Sequence, residues 1–115
     1  MKIFHNPRCT KSRNALALLK SKGIEPEVVE YLKDTFTEKT LTDLLQTLGI
    51  KANDLLRKNE EYYKVNLKGK VISDNELIKE MISNPQLIQR PILVNNSCGI
   101  IARENDVIEK FLEGL

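Results

Sequence analysis

The sequence predicts an α/β protein with a mixed four-stranded sheet, on the basis of three observations. Residues 2–31 contain a strand pattern, an amphipathic helix pattern and a second strand pattern, in that order. Helical patterns alone fill about residues 34–86, and two more strand patterns and a helix pattern follow from residue 91. A strand–helix–strand unit normally makes its strands parallel, whereas a hairpin is antiparallel, so the predicted sheet contains both kinds of pairing.

The first half of the chain begins with a strand, a loop and a helix. Residues 2–5 alternate weakly in polarity, and the Asn-Pro pair behind them is a turn signal. Apolar residues at helical spacing predict a helix over residues 12–22, and Gly23 suits the left-handed conformation that ends many helices. Residues 28–31, Val-Val-Glu-Tyr, then predict the second strand.

The central stretch is predicted to form helices. Thr37 is a suitable N-cap for the first of them, which ends at Gly49, and a short second helix surrounds Leu55. Ser73 and Glu76 have the spacing of a capping box in front of the third.

The last part of the chain predicts a β-hairpin and a helix. Residues 91–94 and 99–102 flank a turn-rich segment, and apolar residues at helical spacing follow from Val107. The complete order is that of a thioredoxin-like fold with helices inserted between its halves. Because the insertion at about residues 34–86 has too few apolar positions to be independent, we predict one domain over residues 1–115.

Composition excludes several classes of protein. The chain has 115 residues, 41% of them hydrophobic and 30% charged, which is typical of one globular domain. It lacks a run of ~20 apolar residues and a secretory signal pattern, so we expect a cytoplasmic protein that does not bind membranes. A net charge of +2 without a basic stripe argues against nucleic-acid binding. Two cysteines are too few for a disulfide scaffold, and we expect a monomer without a bound metal or cofactor.

Cys9 is the candidate nucleophile, because it falls where the first loop becomes the first helix. Unpaired N–H groups and the positive end of the helix dipole favour a thiolate there, and Arg8 and Arg13 add positive charge nearby. The alternative is a small buried residue that happens to begin a helix. The position alone leaves both interpretations open.

His5 and Ser12 flank this cysteine. His5 is the only histidine, and across a tight loop it can hydrogen-bond or tune the thiol, although a packed histidine is the alternative. Ser12 takes the place of the second cysteine in a C-x-x-C pattern. An adduct on Cys9 therefore requires an external thiol, such as glutathione or a redoxin, unless Ser12 is simply a helix-start serine.

The remaining candidates cannot be connected to Cys9 by spacing. Cys98 lies ~20 Å along the hairpin from Arg90, so we predict a free cysteine without a catalytic role. Arginine binds oxyanions through two parallel hydrogen bonds, which makes Arg57, Arg90 and Arg103 candidates, each with a solvated surface as the alternative. Arg90 is best placed, since Pro91 behind it suggests a cis bond or another fixed turn.

These residues together resemble the glutaredoxin-linked arsenate reductase family, the ArsC-like proteins of the thioredoxin superfamily. The resemblance extends over essentially the full length of the chain. It is strongest in four segments: His-Asn-Pro-Arg-Cys over residues 5–9 with Ser12-Arg13-Asn14 behind it, Leu-Leu-Arg-Lys-Asn over residues 55–59, Arg90-Pro91-Ile92, and Arg103 before the final helix.

The resemblance implies a role for each matching residue. Cys9 matches the nucleophile that attacks arsenate, and His5 matches the histidine associated with its activation. Three arginines, Arg57, Arg90 and Arg103, match those that hold the oxyanion. Asn6, Ser12, Arg13 and Pro91 are expected to support the site. Glutathione would attack the adduct as co-substrate, and glutaredoxin would act as reductant with release of arsenite.

One departure keeps alternative functions open. The family usually has Gly-Thr-Ser after the cysteine, whereas this chain has Thr10-Lys11-Ser12, so it resembles a paralogous branch whose main substrate need not be arsenate. A second enzyme hypothesis is a glutathione-dependent oxidoreductase of another substrate. A third is a Spx-type transcription regulator, which Ser12, His5 and Arg103 disfavour.

Overall fold

The chain forms four strands and six α-helices, and all residues 1–115 are described by a computed structural model. The elements in chain order are β1 (Lys2–Phe4), α1 (Thr10–Ser21), β2 (Glu27–Val29), α2 (Glu38–Leu48), α3 (Ala52–Leu55), α4 (Glu61–Asn66), α5 (Asp74–Ser83), a 3-10 turn (Pro85–Leu87), β3 (Ile92–Asn95), β4 (Cys98–Ile101) and α6 (Asn105–Glu113). No helix has the length and apolarity that a membrane span requires.

The strands form one sheet in the order β2-β1-β3-β4. β1 is parallel to β2, with Ile3 opposite Val28, and antiparallel to β3, with Ile3 opposite Leu93. β3 and β4 form the antiparallel hairpin. The predicted mixed four-stranded sheet is therefore confirmed.

The chain groups into two compact units. A sheet unit comprises residues 1–34 and 90–115, and a helical unit comprises residues 35–89. The helical unit coincides within a few residues with the insertion predicted at about 34–86. The single domain over residues 1–115 stays a prediction.

The core of the sheet unit lies between β1, β3 and the helices α1 and α6. Its buried members are Ile3, Ala15, Leu19, Leu93, Ala102 and Ile108. Each leucine or isoleucine fully removed from water contributes on the order of 1.5–3 kcal/mol to folding. This packing holds the N-terminal end of α1 in a defined place relative to the sheet.

The helical unit has a buried face on each of its two longer helices. Leu41, Leu44 and Leu45 are buried on α2, and α5 buries Leu77, Ile78 and Met81. Residues three and four apart share one side of a helix. The spacing therefore explains why both helices pack by a single face.

Most predicted helix ends are confirmed. The Thr37 hydroxyl accepts a hydrogen bond from the Thr40 N–H, and the Thr40 hydroxyl oxygen accepts one from the Thr37 N–H at 2.8 Å. Gly23 and Gly49 have φ values of +76° and +67°, which side chains with a Cβ rarely adopt. The capping box at Ser73 was wrong in one half, because only the Glu76 N–H bonds to the serine hydroxyl.

The second strand and helix α4 differ most from the sequence prediction, and the bounds of other elements differ by one or two residues. The second strand was predicted to reach Tyr31 but ends at Val29, because the N–H groups of Lys33 and Asp34 both bond to the Glu30 carbonyl and close a turn. Helix α4 was not predicted separately. Its sequence has no apolar period that would have predicted a helix, and in the structure the helix has no buried residues.

Candidate active site

The loop before α1 is held by hydrogen bonds of its own residues. The Asn6 side-chain oxygen accepts from the Arg8 N–H at 3.0 Å, and the Asn6 carbonyl accepts from the Cys9 N–H at 3.0 Å. The Asn6 N–H donates to the hydroxyl of Ser12, which is fully buried. Asn6 and Ser12 therefore support the loop by connecting it to the first turn of α1.

Cys9 is the N-cap residue of α1 and its thiol is partly exposed. Burial raises the pKa of this thiol, but the nearby Ser12 N–H, the Arg90 guanidinium, the Lys11 N–H and the Arg90 charge lower it below its ordinary value, although the side chain of Cys9 makes no capping hydrogen bond. The thiolate is thus stabilised by the free backbone N–H groups at the N-terminal end of α1 and by one arginine.

The arginine at the sulfur is Arg90, the first residue of the segment that leads into β3. The Arg90–Pro91 peptide bond is cis, which is one of the two alternatives expected from the sequence. Pro91 is buried, and its carbonyl accepts from the Ala102 N–H at 2.7 Å. This hydrogen bond attaches Pro91 to the β4 side of the sheet. It thereby fixes the segment that directs Arg90 to Cys9.

His5 directly follows β1 and is only 6% exposed. Burial lowers the pKa of its imidazole. The negative charge of Glu30 raises this pKa, and the positive charges of Arg13 and Lys20 lower it further. The imidazole is therefore neutral at pH 7. Its Nδ1 atom is buried without a hydrogen-bond partner, and the groups that bond the Cys9 sulfur do not include it.

The other cations of the motif have local partners or none. Arg13 donates to the Pro7 carbonyl at 3.0 Å and to the Thr10 hydroxyl at 3.2 Å, which fastens the loop to the helix. Arg8 is exposed. The sequence pointed to Arg8 and Arg13 as the charges near the thiol, whereas the structure shows Arg90 in that role.

The remaining arginines lie in different units of the chain. Arg103 is exposed between β4 and α6 and makes no side-chain hydrogen bond or ion pair. Arg57 belongs to the helical unit, where its guanidinium pairs with Glu60 at 2.9 Å and approaches the Gln86 carbonyl at 3.4 Å.

Lys11 is paired with a carboxylate, and Cys98 lies at the turn of the hairpin. The Lys11 ammonium forms an ion pair with Glu104 at 2.8 Å, a contact between residues so distant in sequence that no local pattern could indicate it. Cys98 is an exposed free thiol opposite Asn95 at the turn of the hairpin. It is ~13 Å along β3 from Pro91 at the spacing of an extended strand.

The site as a whole presents a partly exposed sulfur beside two backbone N–H groups and a guanidinium. No group of three or more histidine, cysteine or acidic residues is arranged to hold a metal ion. A partly exposed thiolate beside N–H donors and a guanidinium is suited to attack an electrophile that bears negative charge.

Known proteins resemble this chain in sequence and in fold. A sequence model described as the ArsC family matches residues 4–111. The uncharacterized protein YfgD of Escherichia coli is 49% identical over 105 residues, covering 90% of this chain and 88% of YfgD. An arsenate reductase of E. coli is 37% identical over 111 residues, covering 96% of this chain and 79% of that protein. The solved arsenate reductase from Vibrio cholerae superposes with a TM-score of 0.86 at 40% identity, covering 99% of this chain and 96% of that one. The thioredoxin-like fold is thereby confirmed.

Proposed function

The chain belongs to the ArsC family, and we propose that it is an arsenate reductase in which the Cys9 thiolate attacks the arsenic atom. Family and fold together support a thiol oxidoreductase. The observation that best supports the finer proposal is the environment of the Cys9 sulfur, where two backbone N–H groups of the first helical turn and the Arg90 guanidinium lower the pKa of the thiol. A sulfur held in this way is ionised more readily than a free cysteine.

The proposed reaction requires two reductants from outside the protein, glutathione and glutaredoxin, to balance its electrons. The Cys9 sulfur forms a bond to arsenic, and one arsenate oxygen leaves as water after protonation. Glutathione then attacks this adduct, and the two thiols supply the two electrons that convert As(V) to As(III). Arsenite leaves, and the mixed disulfide between Cys9 and glutathione is reduced by glutaredoxin. Ser12 in place of a second cysteine supports this dependence on outside thiols.

The oxyanion would be held by arginines. Arg90 already bonds to the attacking sulfur, and Arg103 has an exposed guanidinium without a protein partner. Both features suit bidentate binding of a tetrahedral oxyanion. The corresponding role of Arg57 is proposed from the family resemblance.

The residues around the sulfur would act through position and protonation state. Asn6, Ser12 and Arg13 hold the loop by the hydrogen bonds described above. His5, neutral at pH 7, would act as an acceptor or donor of a proton rather than as a fixed charge.

Formation of arsenite by the purified protein tests this proposal. With arsenate, glutathione and glutaredoxin present, arsenite should accumulate, and omission of either reductant should stop turnover. Cys9→Ser should abolish the reaction. Cys98→Ser is the matched control and should retain it, because Cys98 lies at the far end of the hairpin. Arsenite formation by Cys9→Ser, or none by the wild type, would refute the proposal.

A further inference from the structure

Helices α1 and α6 pack against each other, and their N-terminal ends lie close together. Both helices contribute to one buried cluster. An ion pair joins their N-terminal ends, with the Lys11 ammonium 2.8 Å from the Glu104 carboxylate. A second pair further along, Lys22 with Glu109 at 3.7 Å, joins the C-terminal end of α1 to the middle of α6.

The Lys11–Glu104 pair makes a small contribution to stability. Its side chains are 43% and 61% exposed, and water screens a pair that is open to this extent. Glu104 is also the N-cap residue of α6, but its side chain makes no capping hydrogen bond. The carboxylate instead reaches across to the neighbouring helix, which suggests a role in the arrangement of the two segments.

The pair connects the two segments that would surround an anionic reactant. Lys11 lies two residues from Cys9, in the first turn of α1, and Glu104 directly follows Arg103. We propose that the Lys11–Glu104 ion pair is a positioning device, which attaches the segment that carries Arg103 to the first turn of α1 and so lets Arg103 give Cys9 a preference for anionic reactants. The inference rests on the proposed role of Arg103 in oxyanion binding.

Positioning and simple charge have opposite consequences when Glu104 is neutralised. If Glu104 acts only through its own negative charge, Glu104→Gln makes the surroundings of Cys9 more attractive to anions. If Glu104 positions Arg103, the same substitution releases the guanidinium and makes the surroundings less attractive. The sign of the change therefore separates the two explanations.

Two alkylating reagents of opposite character measure this preference. Iodoacetate and iodoacetamide react with a thiolate by the same displacement of iodide, but only iodoacetate carries a negative charge. The quantity to measure is the second-order rate constant of iodoacetate with Cys9 divided by that of iodoacetamide, at low ionic strength. A Cys98→Ser background removes the other thiol. Loss of one unit charge ~4 Å from the reagent in water should change this ratio about five-fold, and this is the decrease expected for Arg103→Ala.

The variants of the ion pair should then behave as a set. Glu104→Gln should lower the ratio about two-fold or more, whereas Lys11→Arg, which keeps the pair, should preserve it. In the Arg103→Ala background Glu104→Gln should no longer lower the ratio, because its effect passes through that arginine. The matched control is Lys22→Met, which removes the other ion pair between the same helices and should leave the ratio unchanged.

The outcomes distinguish this inference from the proposed function. If Arg103→Ala lowers the ratio while Glu104→Gln raises it or leaves it unchanged, the positioning role alone is overturned. An unchanged ratio in Arg103→Ala would overturn both this inference and the oxyanion role of Arg103. The assay contains no arsenate, so a failure of arsenate reduction does not affect it.

Discussion

Replacement of Arg90 by methionine should make the Cys9 thiol harder to ionise. Arg90 lowers the pKa of this thiol both by a hydrogen bond to the sulfur and by its charge. Methionine retains much of the volume of the side chain and removes both effects. The backbone N–H groups of Ser12 and Lys11 remain in Arg90→Met, so the thiol should stay partly activated.

The size of the effect follows from the strength of the lost bond. A hydrogen bond to a charged group contributes ~1.5–3 kcal/mol. Because Arg90 and Cys9 are both partly exposed, the lower end of this range applies. About 1.4 kcal/mol corresponds to a tenfold change in an equilibrium constant, so the thiolate fraction at acidic pH should fall by about an order of magnitude.

The assay is the pH dependence of alkylation by iodoacetamide, which is neutral and is not attracted by the arginine itself. In a Cys98→Ser background the midpoint should move to higher pH in Arg90→Met. Arg8→Met is the control, since Arg8 adjoins Cys9 in sequence but is not among the groups that lower the pKa of its thiol. A midpoint in Arg90→Met equal to that of the wild type would refute the assignment of Arg90 to the sulfur.

Three further predictions concern the sheet unit. Because burial holds the pKa of His5 below its ordinary value of 6.5, the unfolded chain binds this proton more readily than the folded one, so the free energy of unfolding should fall as pH decreases below about 6.5. Urea denaturation at several pH values should show a weaker fall in His5→Gln, and an identical fall would contradict the burial argument. Ser12→Ala should lower the free energy of unfolding by ~1–3 kcal/mol, since the buried Asn6 N–H loses its acceptor; an unchanged denaturation midpoint would show that this bond is unimportant. Leu93→Ala should cost ~2–5 kcal/mol because Leu93 is fully buried opposite Ile3, and a smaller loss in thermal denaturation would indicate that the core collapses around the cavity.

The sequence by itself determined the features that depend on neighbouring residues. The helix ends at Gly23 and Gly49 followed from backbone preference, and the cap at Thr37 followed from its position before an apolar period. The location of Cys9 at the start of a helix was predictable in the same way, because the loop and the helix are consecutive. These are local effects, and their physical causes lie within a few residues of the chain.

Only the tertiary structure decided which distant groups meet at the sulfur. Arg90 reaches Cys9 because β3 lies beside β1 in the sheet, and spacing along the chain contains no record of that pairing. The protonation state of His5 depends on burial, which depends in turn on everything packed around it. Lys11 departs from the family's usual residue two positions after the nucleophile, and the structure shows its charge paired with Glu104. Electrostatic interactions act through space, so the chemistry of Cys9 is set by residues that only folding brings near it.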